Sequence, residues 1–170
     1  MKIRISHLGC RLNQYEIQSV ATKLKNQGHE IVKKSDADLF IINSCVVTNR
    51  SERKTRKLIY QAAGHFEKKD HQKIIVTGCY AKGIKKEDGI IYLDNDYKAF
   101  IPDIVENWES WEEGDFNPDR FGFLAPVKSS TTRVNLKIQD GCDNFCSYCI
   151  IPYVRGNPIS KPLEKVIDEF

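Results

Sequence analysis

The sequence has no long apolar run and almost no excess charge of either sign. Among its 170 residues, 26 lysines and arginines stand against 23 aspartates and glutamates, which leaves a formal net charge of only +3. No apolar stretch approaches the roughly 18 residues of a transmembrane helix, so we expect no membrane partner. Because the positive excess is small, any binding of nucleic acid must depend on local basic patches.

The sequence also lacks an export signal and is poor in cysteine. Residues 1–6 alternate charged and apolar side chains, where a signal peptide would carry a continuous apolar segment. This absence predicts a cytoplasmic protein, in which thiols stay reduced. Six cysteines in 170 residues are too few for a disulfide scaffold, so we expect them to be ligands or catalysts.

Three short apolar runs in the first half each lead into a cysteine. They are residues 3–8 before Cys10, residues 38–43 before Cys45 and residues 73–77 before Cys79. Helical periodicity fills the intervals, and this alternation predicts an α/β domain, a three-layer arrangement with helices on the faces of a parallel sheet. The carboxyl ends of parallel strands share one edge, where ligands bind, so the three cysteines could converge there.

Polar residues and glycines mark the expected ends of the helices. Asn13 and Glu16 have the spacing of a capping box at the start of the first helix, and Gly28 has the position of a stop. The same spacing makes Asn49 the expected start of the second helix, with Gly64 as its end.

Three roles are open for the strand-end cysteines when the residues are taken alone. Free cysteines are often buried as small hydrophobic side chains, which needs no ligand. Three thiolates also match a zinc site that lacks one ligand, which His7 or His71 could supply. The third role is an iron–sulfur cluster with one iron left open. Their equivalent positions favour a shared site over three unrelated buried thiols.

The second half completes this domain and then changes pattern. Residues 90–93 could add a strand, and helical spacing runs over residues 97–108. Periodicity then disappears, which predicts a linker with aromatic anchors. Alternation over residues 133–139 predicts a strand, followed by a cysteine loop and a final helix that Ser160 could cap. The expected units are residues 1–108, a linker over residues 109–132 and residues 133–170.

The sharpest feature is the C-x3-C-x2-C spacing of Cys142, Cys146 and Cys149. Zinc sites usually pair cysteines as C-x2-C and need a fourth ligand, and no Cys or His follows in the remaining 21 residues. Three thiolates in one loop suit three corners of a cubane cluster whose fourth iron is free. The spacing, placed after a predicted strand, resembles that of radical S-adenosylmethionine (SAM) enzymes.

Taken together, the two cysteine triplets resemble those of the methylthiotransferases, radical enzymes that insert sulfur and then methylate it. The matching strings are Leu8–Glu16, Asn43–Thr48, Glu52–Lys54, Thr77–Cys79, Ile138–Cys142 and Pro152–Gly156. The resemblance covers essentially the whole chain. It implies that a radical SAM (β/α) partial barrel begins at residue 133 and is cut off after its first strand, loop and helix. We therefore expect the 170 residues alone to be inactive.

The resemblance also implies cofactors and partners. It assigns an auxiliary [4Fe–4S] cluster to Cys10, Cys45 and Cys79, and a radical-generating [4Fe–4S] cluster that binds SAM to Cys142, Cys146 and Cys149. Further partners would be tRNA, an electron donor and a sulfur source. Short strings such as Asn13–Glu16 look most like the branch that modifies N6-threonylcarbamoyladenosine in tRNA. The other branches act on isopentenyl-adenosine in tRNA or on an aspartate of a ribosomal protein.

A group of basic residues after Cys45 is the best local indication of tRNA binding. It consists of Arg50, Arg53, Lys54, Arg56 and Lys57, with Lys82, Lys85 and Lys86 as a weaker extension. Basic side chains neutralise phosphates and give salt-sensitive affinity. The alternative is a solvated helix face, which is what charge runs on helices usually are. Arg155, after the cysteine loop, could contact substrate or brace the loop.

Two further hypotheses compete with a tRNA methylthiotransferase. One is another two-cluster radical enzyme that acts on a protein or a small molecule. The other is a non-catalytic zinc or iron–sulfur module that binds nucleic acid. Metal content separates the last hypothesis from the two enzymes, because only the enzymes need two [4Fe–4S] clusters.

Overall fold

The computed structural model describes residues 1–33, 37–66, 73–87, 89–112, 115–124 and 134–170. These residues form a six-stranded sheet with helices on both faces, followed by a two-stranded sheet and two short helices. In this part of the chain, no helix combines the length and the apolar character that crossing a bilayer requires.

The main sheet is mostly parallel. Its strands are β1 (Lys2–His7), β2 (Glu30–Val32), β3 (Leu39–Ser44), β4 (Lys73–Gly78), β5 (Ile84–Glu87) and β6 (Ile90–Leu93). Their order across the sheet is β2-β1-β3-β4-β6-β5, and all neighbours are parallel except β5, which runs antiparallel to β6. This arrangement confirms the predicted α/β class, and β6 confirms the strand expected at residues 90–93.

The edge strands β2 and β5 are absent from the sequence-based prediction. β2 has only three residues, and β5 exposes every side chain except that of Ile84, which is half-buried. Edge strands are commonly short and charged, so they lack the apolar pattern that identifies a strand. The interior strand β3 is easy to recognise because all six of its residues are buried, as expected for a parallel sheet covered on both faces.

Helices cover the two faces of the sheet. α1 (Arg11–Asn26) and α3 (Ile101–Glu106) pack on the face that includes Ile41 of β3. α2 (Asn49–Phe66) packs on the opposite face, which includes the next residue of β3, Ile42. Successive side chains of a strand point to opposite faces, so β3 contributes to both layers of the core. The three-layer arrangement predicted for this half is confirmed.

The cap predicted for α1 is wrong, although the predicted end is confirmed. α1 begins at Arg11 with Cys10 at the N-cap position, so Asn13 and Glu16 lie inside the helix, where both are buried. Their side chains are not available for capping because they bind residues far away in the sequence, as described below. The helix ends just before Gly28, whose φ of +87° requires the conformational freedom of glycine.

α2 is capped by a different residue from the one predicted. Oγ1 of Thr48 accepts a hydrogen bond from the backbone N–H of Ser51 at 3.1 Å, and Oγ of Ser51 accepts one from the backbone N–H of Thr48 at 3.1 Å. This reciprocal pair is a capping box, so Asn49 is the first helical residue and not the cap. The predicted stop at Gly64 is also wrong, because the helix continues to Phe66.

Aromatic residues of the predicted linker pack on the core of the first half. Trp111 and Phe123 are buried within the cluster that contains the apolar residues of α1 and α3, and Phe116 packs against it. The expected aromatic anchoring is therefore confirmed for these three side chains. Gly114, Pro126 and residues 129–132 of the predicted linker lie outside the described residues.

The strand predicted over residues 133–139 is much shorter than expected. Arg133 lies outside the described residues, and residues 134–138 form no strand. Only β7 (Gln139–Asp140) is paired, and it runs antiparallel to β8 (Ile159–Ser160). A two-residue pairing leaves most of the preceding segment outside any sheet.

Burial along that predicted strand also departs from its alternation of apolar and polar residues. Val134 and Ile138, expected in a core, are 69% and 56% exposed, whereas Lys137 is 2% exposed. The ammonium group of Lys137 binds buried carboxylates, and this interaction outweighs the burial of the neighbouring apolar side chains. Alternation of residue types therefore does not identify the buried face here.

Two short helices follow the cysteine loop. α4 (Ile151–Arg155) is not part of the prediction, whereas α5 (Leu163–Glu169) confirms the final helix. Pro162 stands at the N-cap position of α5, and Ser160, the predicted cap, belongs to β8 instead. Leu163 and Ile167 are more than half exposed, so α5 presents apolar side chains that the described residues do not cover.

Gly78→Ala should destabilise the chain, whereas Gly64→Ala should stabilise it. Gly78 ends β4 with φ of +93°, and an added Cβ would lie 2.5 Å from the carbonyl oxygen of Ser44. Strained backbone conformations of this kind cost about 1–3 kcal/mol each, before the clash is counted. An added Cβ at Gly64 has no neighbour within 4 Å. Replacing that helical glycine should therefore add about 0.5–1 kcal/mol to the free energy of unfolding.

Urea unfolding followed by circular dichroism measures both changes. Gly64→Ala serves as the matched control, since it makes the same chemical change in an unobstructed helix. A Gly78→Ala chain as stable as the parent would contradict the close approach of β3 and β4 at this point.

Candidate functional site

Cys45 and Cys79 directly follow two paired parallel strands. The register of β3 and β4 pairs Ser44 with Gly78, so the next residue of each strand is a cysteine at the same level of the sheet. The hydroxyl of Ser44 donates to the carbonyl oxygen of Thr77 at 2.5 Å, which ties the two strand ends together. Sheet pairing thus brings two cysteines that are 34 positions apart to one edge.

Cys10 reaches the same edge through the end of β1. The backbone N–H of Leu8 donates to the carbonyl oxygen of Asn43 at 2.8 Å, which extends the pairing of β1 and β3 past the last strand residue. At Gly9, φ is +123° and an added Cβ would lie 3.3 Å from Cβ of Cys45. The chain then enters α1 with Cys10 at its N-cap. All three cysteine positions therefore lie at the carboxyl ends of adjacent strands.

The three thiols have different surroundings. Cys10 is exposed, whereas Cys45 and Cys79 are 5% and 4% exposed. Thr55 of α2 holds the backbone of Cys45, because its Oγ1 accepts from the N–H at 3.4 Å and donates to the carbonyl oxygen at 3.2 Å. Nδ2 of Asn95 lies 4.0 Å from Sγ of Cys79, within reach of a weak hydrogen bond. One thiol is open to solvent and two are enclosed.

A cavity of about 550 Å³ opens beside two of these cysteines. Cys10 and Cys45 line it together with Val47, Arg50 and Lys54. Among the described residues, however, no group of three or more His, Cys, Asp or Glu side chains is arranged to hold a metal ion. The strand pairing brings the cysteine positions together without gathering the thiols around one point, so the predicted ligand set stays a prediction.

The histidines do not complete a zinc site among the described residues. His7 is exposed at the end of β1 and belongs to no metal-binding group. His71, the other predicted candidate, lies outside the described residues.

The second cysteine triplet lies in a loop that is folded by its own backbone. The N–H of Cys142 donates to the carbonyl oxygen of Gly156 at 3.0 Å, and the N–H of Cys149 donates to that of Cys146 at 2.9 Å. Between them, Phe145 has a positive φ of 45°, which turns the chain sharply. Cys146 is exposed and the other two cysteines are half-buried, so the loop presents its thiols near the surface.

A buried group of charged and polar side chains connects this loop to the first half. We call it the Glu16 cluster, and its members are Asn13, Glu16, Lys98, Lys137, Asp140 and Arg155. Oε1 of Glu16 accepts from Nζ of Lys137 at 2.7 Å and from Nη1 of Arg155 at 3.0 Å. Oε2 accepts from Nζ of Lys98 at 2.6 Å and from Nη2 of Arg155 at 3.2 Å. One carboxylate therefore binds three cations.

Asp140 and Asn13 supply the remaining acceptors of the cluster. Nη1 of Arg155 lies 2.8 and 2.9 Å from the two carboxylate oxygens of Asp140, and Nζ of Lys137 lies 2.8 Å from one of them. Oδ1 of Asn13 accepts from Nη2 of Arg155 at 2.8 Å and from Nζ of Lys98 at 3.0 Å. Arg155 thus braces the base of the cysteine loop, one of the two roles that the sequence left open for it.

The surroundings of these charges change their proton affinities. Burial alone would raise the pKa of Glu16, but the charges of Lys98, Arg155 and Lys137 outweigh burial and hold that pKa well below its ordinary value of 4.5. Burial lowers the pKa of Lys98, and Glu16 only partly opposes this effect. Burial would also lower the pKa of Arg155, but Glu16 and Asp140 raise it above its usual range. Glu16 and Arg155 are therefore held in their charged forms.

Sequence reasoning missed the Glu16 cluster, although one signal of it is present. Asn13 and Glu16 fall on the same helical face as Ile17, Val20 and Leu24, which is the face that packs on the sheet. A charged residue on an apolar face must find a buried partner, because an unpaired buried charge is very costly. The helical spacing could therefore have indicated a buried ion pair, but not which residues complete it.

The predicted tRNA-binding residues of α2 line two adjacent depressions. A groove of about 520 Å³ is lined by Asn49, Arg50, Arg53, Lys54 and Lys57. Arg50 and Lys54 also line the cavity beside Cys10 and Cys45, so the basic surface continues up to the cysteines. Arg56 differs from the other four, because it lines neither depression and pairs with Glu52 at 2.6 Å.

The weaker basic extension is partly occupied by internal contacts. Lys85 pairs with Glu87 at 2.8 Å, and Nζ of Lys86 lies 4.0 Å from the centre of the Trp111 ring. Lys82 is exposed. These lysines therefore support a nucleic-acid surface less than the residues of α2 do.

Comparison with known proteins identifies relatives of the whole chain. Residues 2–94 match the family described as uncharacterized protein family UPF0004. The threonylcarbamoyladenosine tRNA methylthiotransferases MtaB of Aquifex aeolicus and Thermotoga maritima are 32% and 34% identical over 99% of this chain, which corresponds to 44% and 40% of their own lengths. A tRNA-2-methylthio-N(6)-dimethylallyladenosine synthase of Pelagibacter ubique is 30% identical over 99% of this chain and 41% of its length. The chain thus spans about two fifths of these curated relatives.

Glu16→Gln should destabilise the chain far more than Glu52→Gln. The first variant leaves three buried cations with one carboxylate, and breaking a buried ion pair costs about 3–5 kcal/mol. Glu52 also binds an arginine, but this pair is an exposed one between residues four apart on a helix, worth about 0.3–0.5 kcal/mol. Urea unfolding at pH 7 compares the two substitutions directly.

The stability difference between the parent and Glu16→Gln should depend on pH. Folding lowers the pKa of Glu16, so as the pH falls its carboxylate is protonated in the unfolded chain before it is protonated in the folded chain. The contribution of the ionised Glu16 to the free energy of unfolding is therefore fully present above its ordinary pKa of 4.5 and diminishes as the pH falls below that value. A difference that grows on acidification would contradict the ion pairs.

Proposed function

The chain belongs to the methylthiotransferase family, whose UPF0004 domain its residues 2–94 match, and from this premise we propose that it is part of a tRNA methylthiotransferase. The observation that carries the proposal is the position of three cysteines at the ends of three adjacent parallel strands. A second cysteine triplet, in a loop near the surface, supports it. Because the chain spans about two fifths of the length of these relatives, the activity is proposed for the whole protein.

In this proposal each cysteine triplet holds one [4Fe–4S] cluster. The ligands would be Cys10, Cys45 and Cys79 for the first cluster, and Cys142, Cys146 and Cys149 for the second. The donor set suits the group, because all six cysteines are free thiols and three thiolates leave one iron of each cluster open. SAM bound at the second cluster would supply the radical chemistry at a carbon–hydrogen bond that no amino-acid side chain can perform.

The residues around the two triplets would hold and shield the clusters. Asp140 and Arg155 close the base of the cysteine loop, which limits the positions its thiols can take. Thr55 and Asn95 contact Cys45 and Cys79 and would form part of the shell that tunes the first cluster.

We also place the start of a radical SAM (β/α) partial barrel in residues 133–170. The support is a strand, β7, followed by the cysteine loop and by the helices α4 and α5, with the two-residue β8 between the helices. The exposed apolar residues Leu163, Ile167 and Phe170 add to it. Further strands and helices of a barrel would cover these side chains, as the greater length of the relatives allows.

The proposed substrate is N6-threonylcarbamoyladenosine in tRNA. Two of the three relatives described above carry this nucleoside in their names, and the short strings around Cys10 and Cys45 resemble the same branch. The alternative within the family is the dimethylallyl (isopentenyl) adenosine of the third relative, at a similar level of identity. An aspartate of a ribosomal protein is the remaining alternative.

The basic groove on α2 is the proposed contact with tRNA. Arg50, Arg53, Lys54 and Lys57 line it, and two of them continue to the cavity beside Cys10 and Cys45. Phosphates bound along the groove would lead the polynucleotide towards the first triplet. The other proposed partners are SAM, an electron donor and a sulfur source, in the cytoplasm and without a membrane partner.

Deleting the gene that encodes this chain should remove 2-methylthio-N6-threonylcarbamoyladenosine from cellular tRNA. Mass spectrometry of tRNA nucleosides measures the loss, in a strain that has no second gene of the family. The parent gene should restore the nucleoside. A gene carrying Arg50→Gln and Lys54→Gln should restore several-fold less, because two phosphate contacts next to the cysteines are lost.

Arg56→Gln is the matched control, since Arg56 lies on the same helix but pairs with Glu52 and lines neither depression. This variant should restore the nucleoside fully, and Cys149→Ser should restore none. Unchanged 2-methylthio-N6-threonylcarbamoyladenosine in the deletion strain would refute the proposed substrate. Loss of the dimethylallyl nucleoside instead would assign the chain to the other tRNA branch.

A further inference from the structure

The Glu16 cluster closes the base of the second cysteine loop. Asp140 stands two residues before Cys142, and Arg155 ends the helix that follows Cys149. The guanidinium group of Arg155 binds both carboxylate oxygens of Asp140, so the two ends of the loop are clamped together inside the protein. Any movement of the loop as a whole must move this pair.

The same cluster is attached to the ends of β3 and α1. Nδ2 of Asn13 donates to the carbonyl oxygen of Ser44, the residue before Cys45, at 3.2 Å. The backbone carbonyl of Asn13 accepts from Nδ2 of Asn43 at 2.9 Å. Asn13 also lies in the first turn of α1, three residues after Cys10. The backbone next to two strand-end cysteines is therefore fixed to the cluster.

The third strand-end cysteine is linked through the segment before α3. Nδ2 of Asn95 lies near Sγ of Cys79 and donates to the carbonyl oxygen of Val154 at 3.1 Å, one residue before Arg155. Lys98, three residues later, binds both Asn13 and Glu16. All three strand ends thus have a short connection to the residues that hold the second loop.

A buried ionic cluster is a poor way to gain stability but a good way to define a position. The free energy lost when charged groups are buried is about as large as the free energy gained from their attraction. Proteins with apolar residues in place of a buried ion pair are therefore often equally stable. Hydrogen bonds to a planar guanidinium group are directional, however, so they admit one relative arrangement of the parts they join. An apolar contact between α1 and the cysteine loop would allow the two to shift relative to each other.

We propose that Asn13, Glu16 and Arg155 are positioning residues that fix the distance between the two cysteine triplets. The functional meaning of that distance rests on the proposed function, in which groups held at the two triplets act on one substrate. Reactions between separately held groups lose about 10²-fold in rate for a displacement of 1 Å. These residues fix the distance whether or not either triplet binds iron.

Other contacts keep the two parts of the chain attached when the cluster is altered. Tyr15 donates its hydroxyl hydrogen bond to Oε1 of Glu169 at 2.6 Å, and Arg120 binds Asp96 and the carbonyl oxygen of Arg155. Removing one member of the cluster should therefore loosen the spacing of the triplets without separating the parts.

Crosslinking between the exposed thiols of Cys10 and Cys146 tests the proposal. The chain carries Cys142→Ser and Cys149→Ser, which leaves these two as its exposed cysteines. It is treated with bis-maleimides of graded spacer length, and the rate of intramolecular crosslinking is measured by mass spectrometry. A fixed distance gives a sharp optimum of spacer length. In Arg155→Met the crosslinking rate at this optimum should fall by about tenfold, because the effective concentration of one thiol near the other drops when a fixed geometry becomes flexible. The crosslinking rate with longer spacers should rise.

Two further variants separate positioning from stability. Leu24→Ala creates a cavity in the core two turns beyond Glu16 on the same helix, without touching the cluster, and should keep the sharp optimum despite its loss of stability. Asn13→Ala leaves every ion pair of the cluster in place and should also broaden the profile, which keeps the test decisive if Arg155→Met does not fold.

A parent chain without a preferred spacer would overturn the proposal, as would a sharp optimum in Asn13→Ala or an equal broadening in Leu24→Ala. The proposed function fails on a different result, namely unchanged modification of tRNA in the deletion strain. A sharp parent optimum that both cluster variants broaden would leave the positioning role standing even then.

Discussion

The fold of this chain depends on one carboxylate that has no contact with water. Glu16 is completely buried, and burying a charge costs several kcal/mol unless cations and hydrogen bonds surround it. Its three cations come from the turn before α3, from residue 137 and from the end of α4, which are separated from it by 82 to 139 positions. The carboxylate is therefore satisfied only when α1, the middle of the chain and the cysteine loop are all in place. This requirement fixes how the two halves, each with its own sheet, are arranged, and the contacts of Tyr15 with Glu169 and of Arg120 with Asp96 also join them.

A second constraint, the register of the parallel strands, determines where the first three cysteines lie. Pairing of Ser44 with Gly78 puts Cys45 and Cys79 at one level, and β1 brings Cys10 to the same edge. The other triplet needs no sheet, because its spacing within one loop already brings the thiols close along the chain. The Glu16 cluster lies between the two arrangements and is bonded to the backbone or side chains next to both. Strand register, the cysteine loop and the buried ion pairs together determine where the two cysteine triplets lie relative to each other.

Sequence patterns predicted the elements that local periodicity encodes. They did not predict burial that depends on contacts between residues far apart in the chain. The interior strands β3 and β4 contain the apolar runs 39–42 and 74–76, and the cysteines after them are evident from their spacing. β5 is an exposed edge strand with little apolar signal. Asn13 has the spacing of a cap and Lys137 has the position of an exposed side chain, yet both are buried because Glu16 and Arg155 bind them. Which residues surround a buried carboxylate depends on the tertiary fold, so no pattern in a short window identifies them.

We expect two separate three-cysteine sites, each holding one [4Fe–4S] cluster, and the metal content of the chain distinguishes this arrangement from a zinc site. The chain is reconstituted anaerobically with iron and sulfide, and its iron, sulfide and zinc are counted alongside its Mössbauer spectrum. Two [4Fe–4S] clusters predict about eight irons per chain, and about four when either cysteine triplet alone is replaced by serine. The two-cluster arrangement would be contradicted by stoichiometric zinc without the visible absorption of iron–sulfur clusters. It would also be contradicted by an iron content that neither set of substitutions lowers.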